Sequence, residues 1–153
     1  MVTFLADRML GRLAKMLRLL GYDTLYERDF TPARIAEIAA HQDRVLLTRG
    51  NAEKRFPGIA RVIALKSESP PEQLRELVVL FRLDVRVGLW TRCTLCNGAI
   101  ERADKAVVES LVPPKVAQVY DEFFRCAACG HVYWMGSHVE RILKNLSSLL
   151  TES

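Results

Sequence analysis

The sequence lacks a hydrophobic run long enough to cross a bilayer, because its apolar stretches fall far short of the ~20 residues that a spanning helix needs. We also expect no secretion signal, since Asp7 and Arg8 interrupt the segment where the apolar core of such a signal would lie. Internal repeats and low-complexity tracts are absent. The four cysteines form two Cys-x-x-Cys pairs, a spacing typical of metal binding in a reducing compartment rather than of disulfides. We therefore expect a cytoplasmic protein without a membrane partner.

The composition is that of a globular protein. The chain has 153 residues, of which 50% are hydrophobic and 26% are charged, and a chain of this length can bury a sizeable core. Lys and Arg number 22 against 18 acidic residues, which gives a net charge of +4. This mild excess permits a polyanionic partner but does not require one.

Strand and helix signals alternate along the first half of the chain. Buried strand patterns are predicted at 3–6, 24–27, 44–48 and 61–66, and helical patterns at 8–20, 31–41 and 70–83, with a short helix after Gly50. Asp7 and Thr31 are typical N-cap residues, and Pro32 suits a first helical position. The alternation predicts an α/β domain at 1–84 with a parallel sheet flanked by helices.

The alternation of strand and helix patterns ends near residue 85, and we expect a second module over 85–153. It contains Cys93, Cys96, Cys126 and Cys129, and a terminal helix is predicted at 138–150. Two Cys-x-x-Cys knuckles, each followed by residues that turn easily, can place four thiolates around one tetrahedral Zn²⁺. The spacing predicts a small zinc ribbon in which the Zn²⁺ is structural, because a closed four-sulfur shell leaves no position for substrate.

Two aromatic residues follow the second knuckle. Tyr133 and Trp134 can stack on the bases of a single-stranded nucleic acid. Such residues also fill the cores of small ribbons, and we expect at least one of the two to do so.

The stretch VLLTRGNAE at 45–53 marks the end of the third predicted strand, where α/β proteins bind their ligands. Gly50 in this stretch can let a phosphate approach the backbone, can serve as a plain turn, or can stand where another side chain was lost. Asp7, at the end of the first strand, is in the same way either an N-cap or a ligand for a divalent cation.

The segments FLADRMLGRLAKMLRLLGYDT, RVLLTR, RCTLCNG, VPP and FRCAACGHVYWMGSH, taken in order, resemble the Mut-seven C-terminal RNase domain family. The resemblance covers about residues 3–142. It implies a PIN-like α/β fold with a zinc ribbon at its C-terminal end, and an activity of metal-dependent RNA cleavage.

The resemblance also implies which acids to expect. The family's first acid matches Asp7, whereas the second and third positions hold Pro32 and Gly50. Asp29 and Glu53 are candidate substitutes, since Mg²⁺ or Mn²⁺ can be held by one or two carboxylates together with waters and phosphates.

Basic residues surround the same edge of the predicted sheet, namely Arg8, Arg12, Lys15 and Arg49. They favour RNA phosphates as ligands. Three hypotheses follow: an RNA-binding protein with a degenerate acidic site, an active metal-dependent ribonuclease that uses Asp7 with substitute acids, and a non-enzymatic adaptor that binds a protein through the ribbon or the terminal helix.

Overall fold

The computed structural model describes residues 1–151 and divides them into two sheets with surrounding helices. The first half contains β1 (Phe4–Ala6), α1 (Gly11–Leu19), β2 (Thr24–Leu25), α2 (Pro32–His41), β3 (Val45–Arg49), α3 (Ala52–Arg55), β4 (Val62–Leu65) and α4 (Pro70–Phe81). The second half contains β5 (Ile100–Ala103), α5 (Lys105–Val108), α6 (Pro114–Val119), β6 (Phe123–Cys126), β7 (Val132–Tyr133) and α7 (Ser137–Thr151).

The first four strands form a parallel sheet in the order β2-β1-β3-β4. The central strands β1 and β3 are apolar on both faces and nearly free of solvent contact, as expected for strands that helices cover on both sides. The α/β class, the parallel sheet and the flanking helices predicted from the sequence are confirmed.

Two apolar layers hold the helices against this sheet. On one face, α1 and α4 bury Leu13, Leu17, Leu74 and Leu77 among residues of β1 and β3. On the other face, α2 contributes Ile35 and Ile38 to a smaller cluster, which includes Phe56. Both sheet faces are thus closed, and only the strand ends remain available for a site.

The helix ends follow from local sequence. The hydroxyl of Thr31 accepts a hydrogen bond from the backbone N–H of Arg34, and Pro32 takes the first position of α2. The predicted helix after Asp7 is instead split. Residues Arg8–Leu10 form a 3₁₀ turn, and α1 begins at Gly11 because Leu10 departs from helical backbone geometry.

The second sheet is antiparallel, in the order β5-β6-β7, and carries the two cysteine knuckles. The first knuckle lies between Arg92 and Ala99, which form an isolated bridge, and the second joins β6 to β7. The sequence analysis did not predict α5 and α6, which occupy much of the stretch between the knuckles.

The terminal helix α7 packs back onto the rest of the protein. Its Val139 joins the apolar cluster of the ribbon, while Leu146 joins the core of the parallel domain. The two modules therefore share apolar contacts, and the boundary at 84/85 stays a prediction. Of the helices in residues 1–151, none is both long and apolar enough to cross a membrane.

Candidate metal centre and nucleic-acid interface

Asp7 lies at the carboxyl end of β1 and is almost fully buried, with 1% of its surface exposed. Its Oδ1 accepts the backbone N–H of Arg8 at 2.8 Å, so it is the N-cap that the sequence predicted. Its Oδ2 accepts the hydroxyl of Thr48 at 2.7 Å. A buried carboxylate needs such donors and a counter-charge to remain ionised.

The counter-charge comes from Arg55, the last residue of α3. Its Nη1 lies 2.6 Å from Oδ2 of Asp7 and also donates to the hydroxyl of Thr48 at 3.0 Å. The turn before α3 positions the helix from which Arg55 reaches Asp7, since the side chain of Asn51 caps α3 by accepting the N–H of Lys54. A protein cation thus contacts Oδ2 of the buried Asp7 carboxylate.

The two positions at which the resemblance predicts further acids are open to solvent. Pro32 is exposed at the start of α2, and Gly50 has a φ of +81° with no described atom within 4 Å of an added Cβ. Asp29 and Glu53 are exposed as well. Among the described residues, Asp7, Asp29 and Glu53 form no group of three ligand atoms close enough to share an ion. Their assignment as substitute ligands stays a prediction.

Basic side chains border this edge of the parallel sheet. Arg8, Arg12 and Lys15 are exposed on the segment that follows β1. Arg49, at the end of β3, lies 3.5 Å from the largely exposed carboxylate of Glu68. The carboxylate side of this pair is open to solvent, so the pair contributes little to stability.

The four cysteine sulfurs converge between the two knuckles. All Sγ atoms of Cys93, Cys96, Cys126 and Cys129 lie within 4.8 Å of one another. The Cys93–Cys129 pair is separated by 3.7 Å and the Cys96–Cys126 pair by 3.5 Å. With Zn–S bonds of ~2.3 Å, a tetrahedron has sulfur–sulfur edges of about 3.8 Å. The cluster can therefore hold a metal ion, and its donors suit Zn²⁺.

The knuckle backbone shapes the cluster. Burial raises the pKa of Cys96 to about 12. Burial also acts to raise the pKa of Cys126, but N–H groups of Cys129 and Ala128 and the neighbouring Cys96 thiol lower it to about 7. A Cβ added to Gly98 would lie 3.1 Å from Sγ of Cys126 and 3.2 Å from Sγ of Cys96, so glycine leaves the space that the sulfurs occupy.

Hydrogen bonds attach the first knuckle to the parallel domain. Arg18 of α1 is 4% exposed and donates to the carbonyl oxygens of Thr24, Thr94 and Leu95. The side chain of Asn97 accepts the N–H of Thr24 at 3.0 Å and donates to Asp23 at 2.7 Å. The cysteine cluster is thereby held against strand β2.

Comparison with known families gives a match over most of the chain. The model of the Mut7-C RNAse domain matches residues 2–146, nearly the whole chain. The chain belongs to the Mut7-C RNAse domain family. Among curated proteins, the search found no match.

Membership of the Mut7-C family identifies a ribonuclease-like domain but leaves the roles of individual residues to geometry. Tyr133, for example, is 8% exposed, and its hydroxyl lies 2.9 Å from Sγ of Cys93. It fills the ribbon core, as expected of at least one of the two aromatic residues. Trp134 is half-buried and packs edge-on against Phe123.

Two contacts of this Mut7-C domain were not predicted from the sequence, those of Arg55 and Arg18. Arg55 belongs to a short basic helix directly after Gly50, and that position next to a predicted strand end was the available signal. Arg18 lies on the last turn of α1 between buried leucines, which is an unusual place for a charged side chain.

Proposed function

We propose that this chain binds single-stranded RNA at the strand-end edge beside Asp7 and has lost metal-dependent cleavage. In this proposal Arg8, Arg12, Lys15 and Arg49 contact phosphates, Trp134 and Tyr133 contribute to base contacts, and Zn²⁺ at the four cysteines is structural. Support for RNA as the ligand comes from the ribonuclease-like family and from the basic side chains at this edge.

The observation that carries the loss of cleavage is the ion pair between Asp7 and Arg55 at 2.6 Å. Cleavage by the usual metal mechanism requires an ion on the carboxylate to activate water and to neutralise the leaving oxygen. That ion would have to displace a guanidinium from a buried oxygen. Pro32 and Gly50, at the other two acid positions, supply no carboxylate that would compensate for the displacement.

The replacement of acids also favours binding. A cleft that keeps one neutralised carboxylate and several cations attracts phosphates more strongly than a cleft with three carboxylates would. Such binding is electrostatic, so the affinity for a single strand falls with salt at a slope of about −0.7 per phosphate contacted.

The experiment is to incubate purified zinc-loaded protein with labelled single-stranded RNA in Mg²⁺ and in Mn²⁺, and to measure retention and cleavage together. We expect retention without cleavage. Arg49→Glu should weaken binding and reduce the salt slope by about one contact. Arg61→Glu is the matched control. Arg61 directly precedes β4, so it lies at the amino ends of the parallel strands and not at the carboxyl ends beside Asp7. Its side chain forms an exposed ion pair with Asp43.

Two results would contradict the proposal in different ways. Cleavage that disappears in Asp7→Ala would establish an active nuclease that uses Asp7 with other acids. Retention that ignores salt and is the same for Arg49→Glu and Arg61→Glu would remove RNA as the ligand of this edge. That outcome would favour an adaptor that docks a protein on the ribbon or on α7.

A further inference from the structure

A cavity of about 370 Å³ lies where α1, the ribbon and α7 meet. Its volume falls within the range of ligand sites, about 300–1,000 Å³. The wall from the ribbon is aromatic, with Trp90, Tyr133 and Trp134, while α1 contributes Met16 and Leu19 to the apolar lining and Lys15 to the cationic part. Neither Asp7 nor any of the four cysteines lines the cavity.

Trp90 has two features that packing alone does not explain. It is 8% exposed, yet its indole Nε1 has no hydrogen-bond partner among the described residues. Its φ of +60° also places a bulky residue in the left-handed region. Buried indole N–H groups usually find an acceptor, and strained backbone of this kind persists where surrounding structure enforces it, often at ligand sites.

The arrangement of rings limits how a ligand can enter. Trp90 stacks on Phe124 with ring centroids 6.0 Å apart and lies 5.3 Å from Tyr133, so part of its surface is already used. His131 packs edge-on against Tyr133 at 4.6 Å and also lines the cavity. The cavity therefore offers aromatic walls on the ribbon side and aliphatic walls on the helix side, a shape suited to a flat ring.

Charge distinguishes a nucleotide from a purely apolar ligand. Lys15 lines the cavity and is exposed, so its ammonium group can meet an anion at the mouth. Arg12, three residues earlier on the same helix, is also exposed and lines a neighbouring groove together with Arg8. Basic side chains therefore run along α1 from the strand-end edge to the cavity.

We propose that this cavity receives one unpaired base of the bound RNA, with Lys15 holding the adjoining phosphate; this rests on the proposed RNA-binding function. A nucleobase has the flat aromatic face that the walls favour, and the phosphate on its sugar gives Lys15 an anion to bind. A hydrocarbon ligand would supply no anion.

The chain offers a direct readout, because both of its tryptophans line the cavity. Tryptophan fluorescence of the zinc-loaded protein is followed during titration with adenosine 5′-monophosphate, and in parallel with ribose 5-phosphate, which has no base. We expect a saturable change with the nucleotide and none with the sugar phosphate. Lys15→Ala should weaken nucleotide binding roughly tenfold, the effect of losing one charge-assisted contact.

Lys144→Ala is the matched control, since Lys144 is exposed on α7 but does not line the cavity. It should leave the nucleotide affinity unchanged. The inference is overturned if the nucleotide gives no saturable change, if ribose 5-phosphate gives the same change, or if the two lysine variants behave alike. Retention of labelled RNA, measured on the same preparations, shows separately whether the proposed RNA-binding function holds.

Discussion

Replacement of Arg55 by alanine tests the ion pair on which the loss of cleavage depends. The substitution leaves Asp7, which is 1% exposed, without the one charged partner that the described residues place at its Oδ2. Removal of one partner from a fully buried pair costs about 3–5 kcal/mol. The Arg55 side chain is 31% exposed, and Thr48 and the N–H of Arg8 still donate to the carboxylate. We therefore expect a loss of about 2–3 kcal/mol in the free energy of unfolding.

Urea unfolding at fixed zinc concentration measures this loss. A double-mutant cycle with Asp7→Asn isolates the pair, because Arg55→Ala should cost much less once the carboxylate is gone. Arg61→Ala serves as the control, since its ion pair is exposed on both sides and should contribute no more than about 1 kcal/mol.

Additive losses from Asp7→Asn and Arg55→Ala would refute the reasoning, because additivity means that the two side chains do not interact. A loss no larger than that of Arg61→Ala would refute it as well. Either result would leave Asp7 available to a metal ion and would remove the main support for a degenerate site.

Three further predictions concern the ribbon. Cys126→Ser or chelation of the metal should unfold the ribbon, because metal binding supplies ~10–16 kcal/mol in small zinc modules. Unfolding would be seen as loss of the dispersed amide signals of the ribbon in NMR spectra. A ribbon that stays folded without metal would contradict this. Gly98→Ala should weaken zinc retention in competition with a chromogenic chelator, whereas Gly136→Ala, whose added Cβ would come no closer than 3.4 Å to Trp134, should not. Asn97→Gly can keep the positive φ of 71° but removes the hydrogen bonds to Thr24 and Asp23. It should lower the free energy of unfolding, measured with urea or heat, by about 1–3 kcal/mol without loss of zinc. An unchanged free energy of unfolding would show that packing, and not these hydrogen bonds, holds the knuckle.

The parallel domain was predictable because its signals are local. The apolar run of β3 and the Thr31–Pro32 start of α2 each depend on neighbouring residues, and both elements lie within a residue of their predicted bounds. The cysteine cluster was predictable for the same reason, since the Cys-x-x-Cys spacing of each knuckle is a local sequence pattern.

The contacts that define the two sites were not predictable, because they join distant positions. Arg55 and Asp7 are 48 positions apart, and Arg18 and Thr94 are 76 apart. From sequence, Arg55 is one basic residue among several, and only the folded turn after β3 brings it to the carboxylate. The short helices α5 and α6 escaped prediction because each has fewer than seven residues, too few to show a helical period of apolar residues.

The attachment of the first knuckle to β2 has a consequence for self-association. Strand β2 is the edge of the parallel sheet, and an uncovered edge presents backbone groups that can pair with a strand of another chain. At Thr24 those groups are taken, the N–H by Asn97 and the carbonyl oxygen by Arg18. A metal ion held by the four cysteines would, by ordering the knuckle, also keep Asn97 on this edge and so hinder the addition of another strand. Its removal should expose this edge and raise light scattering with increasing protein concentration, while the parallel sheet itself stays folded.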